Sequence, residues 1–158
     1  MKNIALLTTI KRTNSNDSDF AGLVNELNKY LTNIFGVKQQ YYSRLNVINN
    51  SSTVVVAYVN DEAAGCGCLR EFDAETIEVK RMFVPELYRG KGIGSRILVE
   101  LEKWARELGY KYAILETGTV LKDAIALYKK SGYQITENWG DYIGIETSVC
   151  MKKSLENA

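Results

Sequence analysis

The chain contains no histidine, and that absence removes much chemistry at once. Every Ser–His or Cys–His nucleophile arrangement is excluded, so proton transfer must use a carboxylate, tyrosine, lysine, cysteine or water. A metal centre loses its commonest ligand, and no metal is expected. Cysteines are scarce and odd in number: Cys66, Cys68 and Cys150 cannot build a disulfide framework. Cys66 and Cys68 stand two apart, share one face of a strand and suit small apolar packing. Proline occurs once, as Pro85, and there is no linker, repeat or low-complexity tract. Charge of one sign is also missing, because 20 Lys+Arg face 19 Asp+Glu for a net charge of +1. That balance argues against nucleic acid as a partner. No apolar run approaches a membrane span, and the first residues lack the basic-then-apolar pattern of an export signal. The expected location is cytoplasmic, without membrane association.

What is present is an ordinary globule. A length of 158 residues fits one domain, 1–158, and at this size folding hides about 70% of the unfolded surface. Apolar residues make up 46% and charged residues 25%, as in typical soluble domains.

Ile4–Ile10 reads as a first strand. Asn16, Asp17, Ser18 and Asp19 offer helix caps, followed by Phe20, Leu23, Val24, Leu27, Tyr30, Leu31 and Ile34 at helical spacing, with Gly36 as the stop. Val37–Leu45 reads as a short second helix and Asn49–Ser52 as a turn. Thr53–Val59, Ala63–Phe72 and Thr76–Val84 are separated by Asn60-Asp61 and Asp73-Ala74, which predicts an antiparallel meander. Ser95–Leu108 is an amphipathic helix with Ile97, Leu101, Trp104, Ala105 and Leu108 on one face and Gly109 at its end. Tyr112–Glu116 is the next strand, Lys122–Lys130 a helix ending at Gly132, and Thr147–Lys152 the strand that closes the sheet. The predicted fold class is α/β: a mixed, largely antiparallel central sheet flanked by helices.

The most informative segment is Arg89-Gly90-Lys91-Gly92-Ile93-Gly94, which runs from a strand into a helix. Glycines let the backbone turn tightly and bring its N–H groups against an anion, and the helix adds unpaired amides and the positive end of its dipole. The spelling fits neither the P-loop nor the dinucleotide fingerprint. Arg-x-x-Gly-x-Gly after a strand resembles the acyl-CoA pyrophosphate loop of the GNAT superfamily of N-acyltransferases. Glu78–Pro85 upstream and Ala124–Tyr133 downstream look like that family's companion motifs, in its order and at about its spacing. The resemblance covers roughly a third of the chain. Taken alone, the loop also admits a plain reading as a turn before a helix.

The resemblance implies acetyl-CoA as co-substrate, an acceptor-shaping part at about 1–50 and an acyl-CoA-binding part at about 75–153. It implies a sheet in which two neighbouring strands splay apart to admit the pantetheine arm. Arg89, Gly90, Lys91, Gly92, Ile93, Gly94 and Ser95 would hold the diphosphate, and Met82, Phe83 and Val84 would pair by main chain with the pantetheine amides. One of those N–H groups would face the thioester oxygen. Tyr128, four residues before Gly132, takes the family's acid position at the thioester sulfur; otherwise it packs a helix on the sheet. Glu78 matches a position where some members carry a base, beside the plainer reading of a solvated strand glutamate paired with Lys80 or Arg81. Glu116 and water are the other candidates. Gln39, Gln40, Tyr41, Tyr42, Asp141 and Tyr142 are candidate acceptor walls.

The implied activity is an acetyl-CoA-dependent N-acetyltransferase acting on the primary amine of a small molecule. A protein N-terminus or lysine as acceptor is the second reading, and a non-catalytic acyl-CoA sensor the third. Family precedent allows a homodimer.

Overall fold

The structure, a computed structural model, describes residues 7–36 and 51–156. The predicted helix at Val37–Leu45 and the start of the predicted first strand lie outside those residues. In chain order the elements are β1 (Thr8–Thr13), α1 (Ser18–Phe35), β2 (Val54–Val59), β3 (Glu62–Glu71), β4 (Thr76–Phe83), α2 (Ile93–Glu107), β5 (Tyr112–Gly118), α3 (Lys122–Lys130), β6 (Gln134–Thr136) and β7 (Ser148–Ser154). Among the described residues the strands form one seven-stranded sheet in the order β1-β2-β3-β4-β5-β7-β6. The β1–β2, β2–β3, β5–β7 and β6–β7 pairs are antiparallel, and β4–β5 is parallel. The mixed, largely antiparallel sheet expected from the sequence is therefore present. No described helix is long and apolar enough to cross a membrane.

The chain divides into two compact units, Met1–Cys68 with Arg81–Leu101, and Leu69–Lys80 with Glu102–Ala158. In the first, Asp17 caps α1 by accepting from the amides of Asp19 and Phe20 at 2.9 and 3.1 Å, an interaction typically worth ~1 kcal/mol. Lys11 holds the same carboxylate at 2.8 Å. One stripe of α1, Phe20, Leu23 and Leu27, packs into a cluster with Val54, Val56, Cys66, Cys68 and Phe83. Cys66 and Cys68 thus share the face expected of them. Ile34 does not join that stripe and is 40% exposed; α1 ends one residue later at Phe35, capped by Gly36 at φ +59°. β1 runs on to Thr13 rather than stopping at Ile10, since it pairs with β2 as far as Val54.

Gly65 and Gly67 present the other face of β3. A Cβ on Gly67 would stand 2.6 Å from Met82 Sδ and 2.8 Å from Leu101 Cδ1, and one on Gly65 would meet Ile97 Cδ1 at 2.8 Å. α2 lies so close to the strand that these positions admit no side chain.

In the second unit β5 lies between β4 and β7. Its register with β4 runs from Thr76↔Tyr112 to Glu78↔Ile114, whereas β7 pairs with β5 along its whole length to Gly118. Glu102, 4% exposed, accepts from Tyr133 Oη at 2.9 Å and Lys153 Nζ at 2.8 Å. Two predictions are corrected here. Leu108 is 53% exposed rather than buried, because α2 ends at Glu107 and the chain reverses at Gly109, φ +91°. The predicted closing strand is internal: β7 lies inside β6, a three-residue edge strand whose Ile135 is 57% exposed, too short to carry a period.

Gly67→Ala is expected to lower stability by about 1–3 kcal/mol, the usual cost of overpacking. Urea unfolding measures it, and an unchanged midpoint would show that α2 can shift outward without cost.

Candidate active site

In the first unit, β4 leads through a short 3-10 turn, Glu86–Tyr88, into the glycine loop. Gly90 and Gly92 have φ of +77° and +78°, and nothing stands within 4 Å of where a Cβ would project from either. Both lie in the left-handed region that glycine occupies without strain. Gly94, counted with them in the sequence, belongs to the first turn of α2 along with Ile93 and Ser95. The first i to i−4 bond runs from the Arg96 amide to the Gly92 carbonyl at 3.1 Å. The amides of Ile93, Gly94 and Ser95 precede it and have no acceptor within the helix. An open bend followed by undirected donors fits a diphosphate.

The two cations of the loop are held by rings. Arg89 donates its Nε–H to the Val84 carbonyl at 2.7 Å, and its guanidinium lies 4.8 Å from the ring centroid of Tyr30 and 5.9 Å from that of Phe83. Lys91 Nζ lies 5.9 Å from the Tyr88 ring. Among the described residues neither cation is paired with a carboxylate, so both charges remain available to an anion.

Arg81, offered by the sequence only as a partner for Glu78, is the irregular point of β4, with φ +56°. A non-glycine residue held there stores about 1–3 kcal/mol of strain. Its side chain donates to Asn28 Oδ1 at 3.1 Å, and its carbonyl accepts from Cys66 Sγ at 3.4 Å. Beyond Arg81, Phe83 joins the α1 cluster and Met82 approaches Gly67.

The second unit gathers the predicted acid and both predicted bases into one polar cluster. Glu78 and Lys80 are 7% and 5% exposed and form an ion pair at 3.3 Å. The pairing with Lys80 matches the plainer expectation for Glu78; the solvated setting does not, since both groups are buried. Lys80 also donates to Tyr142 Oη at 3.4 Å. Glu116, half-buried, accepts from Ser148 Oγ at 2.6 Å. Burial raises its carboxyl above the usual glutamate value; the Ser148 hydrogen bond and the Lys80 charge pull it down, and the Glu78 charge pushes it up.

Tyr128 is 7% exposed, its ring edge-on to Tyr133 at 6.0 Å. Among the described residues its hydroxyl makes no hydrogen bond. Burial, then the Glu116 charge, pushes that hydroxyl well above the usual tyrosine value. Burial does the same to Tyr142, with Glu116 and Glu78 adding to it, and brings the Cys150 thiol up to about 11.

Of the predicted acceptor walls, Tyr142 is buried in this cluster and Asp141 is exposed on the same 3-10 turn, Gly140–Tyr142. Gln39, Gln40, Tyr41 and Tyr42 lie outside the described residues. The sequence reading missed Ser148 and Asn138. Asn138 Nδ2 reaches the carbonyls of Tyr142, Ile145 and Ser148 at 3.0, 3.1 and 3.3 Å and so ties down the loop that carries both Tyr142 and Ser148. Ser148 has no local signature, because its partner Glu116 is set by the β5–β7 register.

A carboxyl raised by folding contributes stability that is fully present below the unfolded value of about 4.3 and is lost as pH rises through the folded value. Glu116→Gln is therefore expected to raise Tm at pH 8, by roughly 2–4 °C for each kcal/mol regained, with the gain vanishing towards pH 4. Thermal unfolding at the two pH values tests the sign.

Comparison with known proteins shows the family. Residues 20–133 match the sequence profile of the Acetyltransferase (GNAT) family. An Azospirillum brasilense protein named IAA acetyltransferase is 32% identical over 149 residues, covering 93% of this chain and 97% of its own. A Xenopus tropicalis protein named "Probable N-acetyltransferase 14" is 37% identical over 100 residues, 63% of this chain, and the match spans 47% of that longer protein. Among solved structures, a Klebsiella pneumoniae protein assigned as an acyl-CoA N-acyltransferase superposes with TM-score 0.76 at 28% identity, covering 94% of this chain and 98% of its own. A GNAT family acetyltransferase of Elizabethkingia anophelis, crystallised with acetyl-CoA bound, shares the fold with TM-score 0.65 at 23% identity, covering 93% and 97%. The chain belongs to the acetyltransferase (GNAT) family and is an acetyl-CoA-dependent acetyltransferase.

Proposed function

We propose that the protein transfers acetyl from acetyl-CoA to the primary amine of a small molecule by direct attack on the thioester. The observation that carries this reading is the open bend at Gly90 and Gly92 followed by the free amides of Ile93, Gly94 and Ser95. Acetyl-CoA supplies an activated acyl group. Those three amides, with Gly90, Gly92 and the cations of Arg89 and Lys91, hold the diphosphate. Met82, Phe83 and Val84 offer main-chain pairing to the pantetheine arm, and an N–H of that strand faces the thioester oxygen. The Val84 carbonyl already accepts from Arg89, so at Val84 the N–H is the better placed partner.

A carboxylate of the second unit, Glu78 or Glu116, takes the proton that makes the amine nucleophilic, and Tyr128 donates a hydrogen bond to the departing sulfur. Overall the C–S bond breaks and the C–N bond forms. Of the two protons the ammonium gives up, one ends on sulfur and the other in solvent. A cytoplasmic location, as expected from the sequence, belongs to the same proposal.

The test is release of free thiol from acetyl-CoA across a panel of small amines and peptides. Turnover with small amines is expected; turnover with peptides alone would move the acceptor to protein, and tight binding without release would leave a sensor. Gly92→Ala is expected to raise KM for acetyl-CoA about tenfold, because alanine is strained at φ +78°. Tyr128→Phe is expected to lower kcat about 10²-fold with that KM unchanged. A folded Tyr128→Phe variant of normal kcat removes the tyrosine from the chemistry.

A further inference from the structure

We propose that Glu116 is the residue that receives the amine's proton and that Ser148 is the positioning residue that aims its carboxylate. This rests on the acetyltransferase reading and separates the two carboxylates that reading leaves open.

The first argument is access. Glu78, Lys80, Ser148, Tyr128 and Tyr142 are all buried at 5–7% exposure, and Glu116 is the half-buried member of the cluster. A base has to reach the proton it removes, directly or through one water. The second argument is partner chemistry. Glu78 is tied to an ammonium, Lys80 Nζ, at 3.3 Å, and taking up a proton would cancel that buried ion pair. Glu116 is held instead by a hydroxyl, which bonds to Oε2 and can stay in place after a proton arrives on Oε1. Among the described residues no protein donor reaches Oε1.

The sheet register explains how the serine comes to point there. Cys150 lies opposite Glu116, and Ser148 lies opposite Gly118, on the same face two residues along. Because Gly118 has no side chain, the Ser148 hydroxyl leans diagonally back to Glu116. Its backbone is fixed from behind by Asn138.

Other titratable groups facing Glu116 come from every neighbouring element: Glu78 and Lys80 on β4, Cys150 on β7, Tyr128 on α3 and Tyr142 on the 3-10 turn. Both tyrosines and the thiol are pushed upward, away from neutrality. The acid limb of the rate profile therefore belongs to a carboxylate, and substitution tells which.

The experiment is the pH dependence of kcat/KM for an amine that the wild type acetylates, with calorimetric binding of acetyl-CoA as the check that each variant is folded. Glu116→Gln is expected to lower kcat/KM about 10²-fold and flatten the acid limb. Ser148→Ala is expected to move that limb up by about one pH unit, since the lost hydrogen bond favoured the charged form, while Ser148→Thr restores it. Glu78→Gln is expected to keep the limb and move it down, because the Glu78 charge raises Glu116. A limb that survives Glu116→Gln, or one abolished by Glu78→Gln, overturns the assignment while leaving the acetyltransferase reading intact. If the wild type acetylates no amine, that reading fails and the base role fails with it. Carbon-13 NMR titration of the Glu116 carboxyl then still decides the positioning role: a midpoint unmoved by Ser148→Ala removes it.

Discussion

The glycine-loop end of the first unit depends on how closely α2 approaches β3. Two glycines give that contact its distance: Ile97 and Leu101 occupy the volume that side chains at 65 and 67 would fill. Helix position sets where the first-turn amides emerge, and a hydrogen-bonding site aimed at a diphosphate loses much of its value when donors are displaced by an ångström. The opposite face of β2 and β3 is closed by α1, which also reaches the loop, because Tyr30 lies against both Phe83 and the Arg89 guanidinium. Both helices of the unit therefore converge on the same bend, one through its amides and one through a ring that orients a cation. The capped start of α1, with Asp17 held by Lys11 and Thr13, belongs to the same support, since a frayed helix would not keep Tyr30 in place.

The second unit is arranged on a different principle. Packing there is interrupted by Glu78, Lys80, Glu116, Ser148 and Tyr142, and buried ionic groups of this kind seldom add net stability. Glu78 and Glu116 both feel the Lys80 ammonium in a partly dehydrated setting. Burying such charges is unfavourable for folding. Active sites commonly hold groups whose proton affinity has been moved by burial, and Glu116 fits that pattern: the same desolvation that costs stability brings its carboxyl closer to the working pH of an amine acetylation. The Glu102 cluster, with Tyr133 and Lys153, shows the contrast. There a buried carboxylate is matched by donors on both oxygens, and no oxygen is left over for chemistry.

How much of this was legible in the sequence depended on range. Signals that act within one turn or one loop were readable: the Asp17 cap, the stripe of Phe20, Leu23 and Leu27, the stops at Gly36 and Gly132, and the glycine bend at 90–92 all have local causes. Helix α3 occupies the predicted span, Lys122–Lys130. What failed was set by partners distant in the chain. Strand β6 exists because β7 offers it an edge, and β1 extends to Thr13 because β2 does. Arg81 could not be read as a break in β4, since arginine gives no hint of a positive φ; Asn28 and Cys66, from other elements, hold it there. Within the candidate site, family spelling pointed to Tyr128 and Glu78. Ser148 became visible only once the register set it opposite a glycine.

The environment of Tyr128 bears on what a buried phenol can do for a departing thiolate. An ordinary tyrosine at about 10 already lies above a thiol at about 8.5, so complete transfer of its proton would run uphill by roughly 2 kcal/mol. Burial, with a carboxylate nearby, moves this hydroxyl further up, which widens the gap. The consequence is a weaker acid but a more reliable donor. Across the working pH range the phenol stays protonated, and in a low-dielectric setting a fixed O–H dipole gains strength as negative charge builds on sulfur. The proton that finally settles on sulfur can then come from solvent or from the amine itself. On this argument the acid and base of the site are not mirror images. Under the proposed assignment, partial exposure and a single hydroxyl partner suit Glu116 to exchange with a substrate, while enclosure keeps Tyr128 out of it.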